Sequence, residues 1–348
     1  MPNQKTAQQA EMLANRLIKK YKHLSKWARR TGVGAFRLYD RDIPEIPLVL
    51  DFYENDQLQG DISGALYQRP YEKDEKEEAL WLGAMREAIA AGLGLNINNV
   101  FIKQRQRQRG NSQYVKISGR QAIRQIYENG LRFQVNLSDY LDTGLFLDRR
   151  SMRVLIRQEA AEKKVLNLFC YTAAYSVYAA AGGAAETDSL DLSHTYLDWA
   201  KENFGINKYK ADIITSGDFF TYPQRSRHRL IRGDVFSFLE RAVAKKRAWD
   251  TIILDPPAFS NSKKMTGILD LKRDYPELIR NCLALLNTGG KLWFSSHARR
   301  FSPDTAVLEA ELKPLYPRVK IDDLTKKITD EDFRGKKMPL CMNITKSP

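Results

Sequence analysis

The segment Thr251–Met265, TIILDPPAFSNSKKM, combines residue types that could bind a flat aromatic molecule. Its apolar run predicts a buried strand that ends at Asp255. Pro256 and Pro257 cannot donate hydrogen bonds to a sheet and fix their own φ angles, so they should end the strand rigidly. The carbonyls of this turn could contact the edge of an aromatic ring, and Phe259 could stack on its face. The candidate catalytic residues are therefore Asp255, Pro256 and Phe259, although a proline turn without function is the alternative.

Two other acidic residues follow predicted strands. Asp191 comes about twenty residues after the turn of the preceding strand, where an acid can bind both hydroxyls of a ribose. Asp234 follows the run LIRG and could accept a hydrogen bond from an adenine amino group, with Val235 and Phe236 against the ring. Each acid could instead cap the following helix, and Ser193 could share that role with Asp191.

The turn after the strand VLNLF lacks the glycines that are usual in nucleotide-binding folds. Ala173 and Ala174 occupy the expected positions, while Gly182 and Gly183 come after the next predicted helix. Because no GxGxxG or GxxxxGK[ST] sequence is present, a phosphate-binding loop is not predicted. This segment alone is compatible with a cofactor turn or with a plain strand–helix connection.

The helices and strands that must position these residues are predicted from a sequence pattern that changes twice along the chain. Residues 1–34 form a basic N-terminal segment, in which a helix is predicted over Ala7–Arg30 with Leu13, Leu17, Tyr21, Leu24 and Trp27 on one stripe. Residues 35–138 contain short strand-like runs and one helix, Glu75–Ala91, which is typical of an α+β module. We interpret this module as RNA-binding.

Residues 139–348 alternate between helical and apolar strand patterns. A helix is predicted over Gly144–Lys163, and the strands are KVLNLF, AAETDSLDL, DTIILDPP and KLWFSS. Strands that alternate with helices predict an α/β fold with a mostly parallel, doubly wound sheet. Such sheets bind ligands outside the carboxyl ends of their strands, where the acidic residues and the proline turn lie. Residues Lys208–Ser226 look like an insertion without an assigned role.

The composition points to an anionic partner and to a reducing compartment. The chain has 56 Lys and Arg against 42 Asp and Glu, a net charge of +14, which favours nucleic acid, although surface charge can also serve solubility alone. Three cysteines without a spacing motif fit a cytoplasmic location rather than a disulfide framework. We find no signal peptide, membrane-length apolar run or zinc-spaced Cys/His cluster, and oligomeric state is not predicted.

A row of alternating cations supports nucleic acid as the partner. In VFIKQRQRQRGNSQY, the residues Lys103, Arg105, Arg107 and Arg109 alternate with glutamines. In an extended strand they would share one face and could contact RNA phosphates, although a charged edge strand can also simply prevent aggregation. Lys263 and Lys264 could contact the backbone that flanks a flipped-out base.

The turn after VLNLF, the acids Asp191 and Asp234 and the Asp255 proline turn follow the predicted strands in this order. With that arrangement the chain resembles the class I S-adenosylmethionine-dependent methyltransferases. The DPPAF sequence is similar to their motif of an acid or Asn, two prolines and an aromatic residue. More closely, nearly the whole chain resembles the C-terminal, guanine-N7-methylating half of the bacterial bifunctional 23S rRNA methyltransferase. The resemblance rests on the segments NRLIKKYKHLSKWARR, FRLYDRDIPE, GNSQY, VNLSDYLDTGLFLDRRSMR, VLNLFCYT, DLSHTYLDWAKENF, HRLIRGD and DPPAFSNSKKM.

The resemblance implies a Rossmann-like class I methyltransferase sheet after an N-terminal helix and a small α+β module. It implies S-adenosylmethionine as cofactor, 23S rRNA or a ribosomal precursor as partner, and no metal. The guanine-N2-methylating half has no counterpart here, so a free-standing form is expected. The implied cofactor-binding residues are Phe146, Asp148, Arg149, Asn167, Phe169, Tyr171, Thr172, Asp191, Leu192, Asp234, Val235, Phe236 and Asp255. Where the family usually has Tyr-Thr-Gly this chain has Ala173, which fits if φ is negative there.

Several reactions are compatible with these residues. Guanine N7 carries an in-plane lone pair and needs no general base, so alignment of donor and acceptor would supply most of the catalysis. Cytosine-C5 methylation requires a cysteine nucleophile, and we interpret Cys170, Cys282 and Cys341 as structural. Methylation of an exocyclic amine such as guanine N2 remains open. So do an inactive RNA-binding ribosome-assembly protein and, less favoured, a small-molecule or DNA methyltransferase.

Overall fold

The computed structural model describes residues 3–54, 60–66, 74–104, 119, 121–215, 219–221, 226–261, 267–298 and 301–347. The chain divides into two compact units, Met1–Leu147 and Asp148–Pro348. The α+β module predicted over residues 35–138 lies within the first of these units. The basic N-terminal helix is part of the first unit, because its apolar face joins the core of that unit.

The first unit packs two helices against a four-stranded sheet. Its elements are α1 Gln4–Thr31, β1 Ala35–Asp40, β2 Leu48–Glu54, β3 Gly60–Leu66, α2 Glu75–Leu93, β4 Val100–Gln104, β5 Ile123–Glu128 and β6 Leu131–Asn136. The sheet has the order β1–β2–β3–β4, and β5 and β6 form a separate hairpin. Leu13, Leu17 and Leu24 face this core, and Gly32 ends α1 in the left-handed conformation. Both helices predicted in this region are confirmed.

The second unit is an α/β layer structure around an eight-stranded sheet. Its elements are α3 Arg150–Glu159, β7 Lys164–Leu168, α4 Ala174–Ala181, β8 Glu186–Asp191, α5 His194–Ile206, β9 Ala211–Ile214, β10 His228–Arg232, α6 Val235–Ala244, β11 Trp249–Leu254, β12 Phe259–Ser260, β13 Leu269–Asp270, α7 Leu271–Ala284, β14 Leu286–Ser296, α8 Thr305–Leu312, β15 Val319–Asp323 and β16 Leu340–Lys346. The strand order is β15–β16–β14–β11–β7–β8–β10–β9. Among the described pairs of this sheet, the two that involve β16 are antiparallel and the others are parallel.

The sheet order explains where a ligand can bind. The chain proceeds from the central strand β7 to β8 and β10 on one side, and then crosses to β11 and β14 on the other. The strand order therefore reverses at β7, and sheets of this kind bind their ligands at that point, outside the carboxyl ends of the strands. The predicted parallel, doubly wound sheet is confirmed. The segment 208–226, which had no assigned role, supplies the edge strand β9.

One predicted helix is wrong in extent. Helix Gly144–Lys163 was expected, but the α-helix covers only Arg150–Glu159, after a short 3₁₀ turn at Leu147–Arg149. Gly144 has a φ of 100°, which cannot continue a right-handed helix.

Within the described ranges, no helix combines the length and apolar character needed to cross a membrane. The same residues contain no group of three or more His, Cys, Asp or Glu side chains placed to hold a metal ion. All three cysteines are free and buried.

Candidate active site at the carboxyl ends of the strands

Asp191 lies at the end of β8 with its carboxylate fixed by backbone amides. Its Oδ2 atom accepts a hydrogen bond from the Tyr171 amide (3.0 Å), and Oδ1 accepts one from the Ser193 amide (2.9 Å). Ser193, not Asp191, is the N-cap of α5. Burial raises the pKa of Asp191 to about 6, against the opposing effect of these amides. The carboxylate is thus held between the β7 turn and the start of α5, and the ribose contact stays a prediction.

The turn between β7 and α4 has an unusual backbone. Phe169, Tyr171 and Ala173 have φ values of 56°, 52° and 56°, so every second residue is left-handed. A side chain in this conformation costs about 1–2 kcal/mol, and such outliers are common at functional sites. The condition expected for Ala173, a negative φ, is therefore not met. The alanine adopts the conformation that glycine would adopt without strain.

The strain at Ala173 can be measured against a matched alanine. Ala173 and Ala179 are both 0% exposed, but Ala179 lies inside helix α4. Ala179→Gly should lower the free energy of unfolding by about 1–2 kcal/mol through lost packing and chain entropy. Ala173→Gly relieves the backbone strain and should cost at least about 1 kcal/mol less. Urea unfolding of both variants tests this, and equal losses would show that Ala173 is unstrained.

Asp255, at the end of β11, forms a bidentate ion pair with Arg149. The Arg149 Nη2 and Nε atoms lie 2.9 Å and 3.2 Å from the two carboxylate oxygens, and the Tyr175 hydroxyl lies 3.5 Å from Oδ2. The Arg149 side chain is 2% exposed and that of Asp255 13%. Burial alone would raise the pKa of Asp255, but the guanidinium holds it below its ordinary value. The carboxylate is therefore ionised and neutralised by its partner.

Asp148 and His297 extend this cluster. The His297 Nδ1 atom lies 3.6 Å from Asp148 Oδ2, while Asp148 Oδ1 is buried without a hydrogen-bond partner among the described residues. We call Asp148, Arg149, Tyr175, Asp255 and His297 the Asp255 cluster. Tyr175 and His297 were not among the residues predicted from the sequence. His297 directly follows β14, the strand beside β11, so its position at a neighbouring strand end was the available signal.

Several predicted cofactor-binding residues are buried. The Asn167 amide donates to Ser176 Oγ (2.9 Å). The Thr172 carbonyl accepts from Asn203 Nδ2 (3.0 Å). The side chains of Asn167 and Asn203 therefore support the β7 turn from within. Val235 belongs to the hydrophobic core, so its predicted packing on an adenine ring is not supported by its position.

The other predicted residues line the strand ends or lie elsewhere. Asp234 caps α6 by accepting from the Ser237 amide (3.0 Å), which is the alternative role expected for it. The residues Phe169, Tyr171, Leu192 and Phe236 are partly exposed. Phe146 belongs to the first unit. Pro256 is buried, whereas Phe259 is 54% exposed at the start of the β12–β13 hairpin.

The predicted row of cations is corrected at its first member. Lys103 is 6% exposed, and its Nζ atom donates to the carbonyl of Tyr140 (2.6 Å). Burial lowers its pKa to about 8. A lysine enclosed in this way is not available to RNA phosphates, because its ammonium group is buried and bound to the carbonyl of Tyr140. Arg105, Arg107, Arg109, Lys263 and Lys264 lie outside the described residues.

Comparison with known proteins identifies the family of the chain. The family model for S-adenosylmethionine-dependent methyltransferases matches residues 46–315. The ribosomal RNA large subunit methyltransferase K of Neisseria meningitidis serogroup B is 44% identical over 332 residues, which are 95% of this chain and 86% of that protein. The methyltransferase K/L of Hahella chejuensis is 40% identical over 342 residues, 98% of this chain but only 43% of that longer protein.

A solved structure shows the same fold. A SAM-dependent methyltransferase from Streptococcus mutans has a TM-score of 0.72 at 23% identity, over 97% of this chain and 81% of that one. A similar methyltransferase structure, with a TM-score of 0.71, was determined in complex with SAH. The sheet order, the acidic strand ends and these similarities agree, and the chain belongs to the family of S-adenosylmethionine-dependent methyltransferases.

Proposed function

We propose that this protein methylates N7 of a guanine in 23S rRNA, with S-adenosylmethionine as the donor. The relatives named ribosomal RNA large subunit methyltransferase K and K/L support rRNA as the substrate. The net charge of +14 is consistent with a polyanionic substrate.

The choice of guanine N7 as the acceptor rests on the ion pair between Arg149 and Asp255. A carboxylate with a lowered pKa that is already bound to a guanidinium is a weak base. Guanine N7 attacks through a lone pair and releases no proton, so a site of this kind can serve it by alignment alone. Methylation at guanine N2 would have to remove a proton, and it is the competing reaction to exclude by experiment.

The cysteines argue against methylation at cytosine C5. That reaction needs a thiolate that can reach the ring. Burial raises the pKa of Cys170 well above its ordinary value and that of Cys341 to about 12, and Cys282 is fully enclosed in the core. None of the three is placed to act as a nucleophile.

The residues at the strand ends fit the cofactor. Asp191 would accept hydrogen bonds from the ribose, and Asp234, which also caps α6, would contact the adenine together with Phe236. The buried Asp148 Oδ1 atom, which has no partner among the described residues, would suit the cationic methionine end. When bound, S-adenosylmethionine supplies an activated methyl group. The chain's own role is to orient donor and acceptor and to keep carboxylates beside the positive charge that develops on the base.

Phe259 is proposed to stack on the target base. Because a base–aromatic stack contributes about 1–3 kcal/mol, Phe259→Ala should lower turnover about 5- to 100-fold and leave cofactor affinity unchanged. Single-turnover methyl transfer and calorimetric titration of S-adenosylmethionine measure the two effects. Phe259→Trp should restore much of the rate, and Leu315→Ala, which removes another exposed apolar side chain, is the control. An unchanged rate for Phe259→Ala would contradict the stacking role.

The whole proposal is tested by methylating 23S rRNA from cells that lack this protein. The RNA, both naked and in precursor particles, is incubated with labelled S-adenosylmethionine, digested and analysed by mass spectrometry, with DNA as a control. The expected product is N7-methylguanosine at one position. Cofactor binding without transfer to any RNA would instead support an inactive ribosome-assembly protein.

A further inference from the structure

Helix α1 carries a set of cations on the side opposite its buried face. We call Lys19, Lys22, Lys26 and Arg30 the α1 basic face. At 100° per residue they fall within about 80° of the helix circumference. Leu17, Leu24 and Ala28 lie on the opposite side and are buried in the core of the first unit. The packing of α1 therefore turns these cations toward solvent, and all four are exposed.

No acidic group in the described residues neutralises this face. The neighbouring Arg16 and Lys20 both pair with Asp42, at 3.2 Å and 2.7 Å. None of the four members of the basic face forms an ion pair with a described residue. The sequence of α1 from Arg16 to Thr31 contains no Asp or Glu. The charge is thus concentrated, exposed and carried by a rigid element with both ends capped.

The spacing of the basic face suits a phosphate backbone. Lys19 and Arg30 are separated by about 16 Å along the axis of an α-helix, enough to contact several successive phosphates. An anionic membrane is a poorer fit, because an interfacial helix must insert its apolar side, and that side of α1 is already buried against the sheet.

We propose that the α1 basic face binds the phosphate backbone of the rRNA substrate. This inference rests on the proposed function. The contact holds the RNA on the first unit and takes no part in the chemical step. It carries affinity and salt dependence but little sequence specificity.

The test is a variant with Lys19→Gln, Lys22→Gln, Lys26→Gln and Arg30→Gln. Its affinity for the unmodified rRNA fragment is measured at several salt concentrations, after circular dichroism has confirmed the helix content. Affinity near 0.1 M salt should fall at least about 10-fold, and the slope of log K against log salt should become shallower by about 3. Cofactor affinity, and turnover at saturating RNA, should stay within about two-fold.

A matched control removes the same charge elsewhere. Lys163, Lys201, Lys210 and Lys326 are exposed in the second unit, and each is replaced by glutamine in one variant. An equal loss of affinity in this control, or an unchanged salt slope in the α1 variant, would overturn the inference. So would binding of vesicles with anionic lipids that is as tight as RNA binding and is lost in the same variant. If the proposed function is wrong but the inference is right, the α1 variant will still lose RNA affinity, whereas the parent protein will form no N7-methylguanosine.

Discussion

Replacing Arg149 with methionine should lower methyl-transfer turnover at least about 100-fold and the free energy of unfolding by about 3 kcal/mol. The reason is that Asp255 would remain at the end of β11 without the guanidinium that offsets its burial. Removing one partner of a buried ion pair typically costs about 3–5 kcal/mol. Burial would then raise the pKa of Asp255, and the rigid turn that holds the acceptor would lose its anchor to α3. Single-turnover kinetics and urea unfolding measure the two effects.

The double variant Arg149→Met with Asp255→Asn separates the ion pair from general damage. If the two groups act as a pair, the double variant should be more stable than Arg149→Met alone, since no uncompensated charge remains. Turnover should stay low in both, because neither variant holds the turn through a bidentate contact. Arg157→Met, at the other end of α3, is the control for loss of an arginine from that helix. If the double variant loses as much free energy of unfolding as the two single variants lose together, Arg149 and Asp255 are not coupled.

Asp191→Ala should weaken S-adenosylmethionine binding about 10- to 100-fold. A hydrogen bond to a charged acceptor contributes about 1.5–3 kcal/mol, and the variant also frees the Tyr171 and Ser193 amides that the carboxylate now binds. Calorimetric titration measures the affinity. Asp198→Ala, which removes an exposed acid from α5, should leave cofactor affinity unchanged.

The raised pKa of Asp191 predicts that cofactor affinity depends on pH. The pKa of Asp191 is raised to about 6, so the carboxylate is ionised above that pH and increasingly protonated below it. Cofactor affinity of the parent protein should therefore be constant above about pH 7 and fall as the pH drops below about 6. In Asp191→Ala this step should disappear. A parent affinity that does not change between pH 7 and pH 5 would exclude Asp191 as the titrating ligand.

The strand ends were predictable from sequence because local signals define them. Asp191, Asp234 and Asp255 each come at or just after the end of a predicted strand, and parallel strands bring such positions to one edge of a sheet. The basic helix α1 was predictable for the same reason, since its leucines repeat with helical spacing and Gly32 follows its end.

What the sequence did not predict depends on contacts between distant residues. Arg149 and Asp255 are 106 residues apart, and nothing in either segment indicates their pairing. Lys103 is buried and its ammonium donates to the Tyr140 carbonyl, a contact that the alternation of cations in the sequence could not reveal. The positive φ of Ala173 is imposed by the turn as a whole, against the preference of alanine itself. The wrong extent of the helix over Gly144–Lys163 shows how one left-handed glycine outweighs a helical pattern.

The most direct test of guanine N7 as the acceptor uses RNA in which that atom is absent. A 23S rRNA fragment transcribed with 7-deazaguanosine triphosphate keeps the O6 and N2 groups of guanine but has carbon in place of N7. The protein should bind this RNA with nearly parental affinity and transfer no methyl group to it, while the ordinary transcript is methylated. Methylation of the 7-deaza transcript at the ordinary rate would contradict the proposed acceptor and point to guanine N2 or another nucleotide.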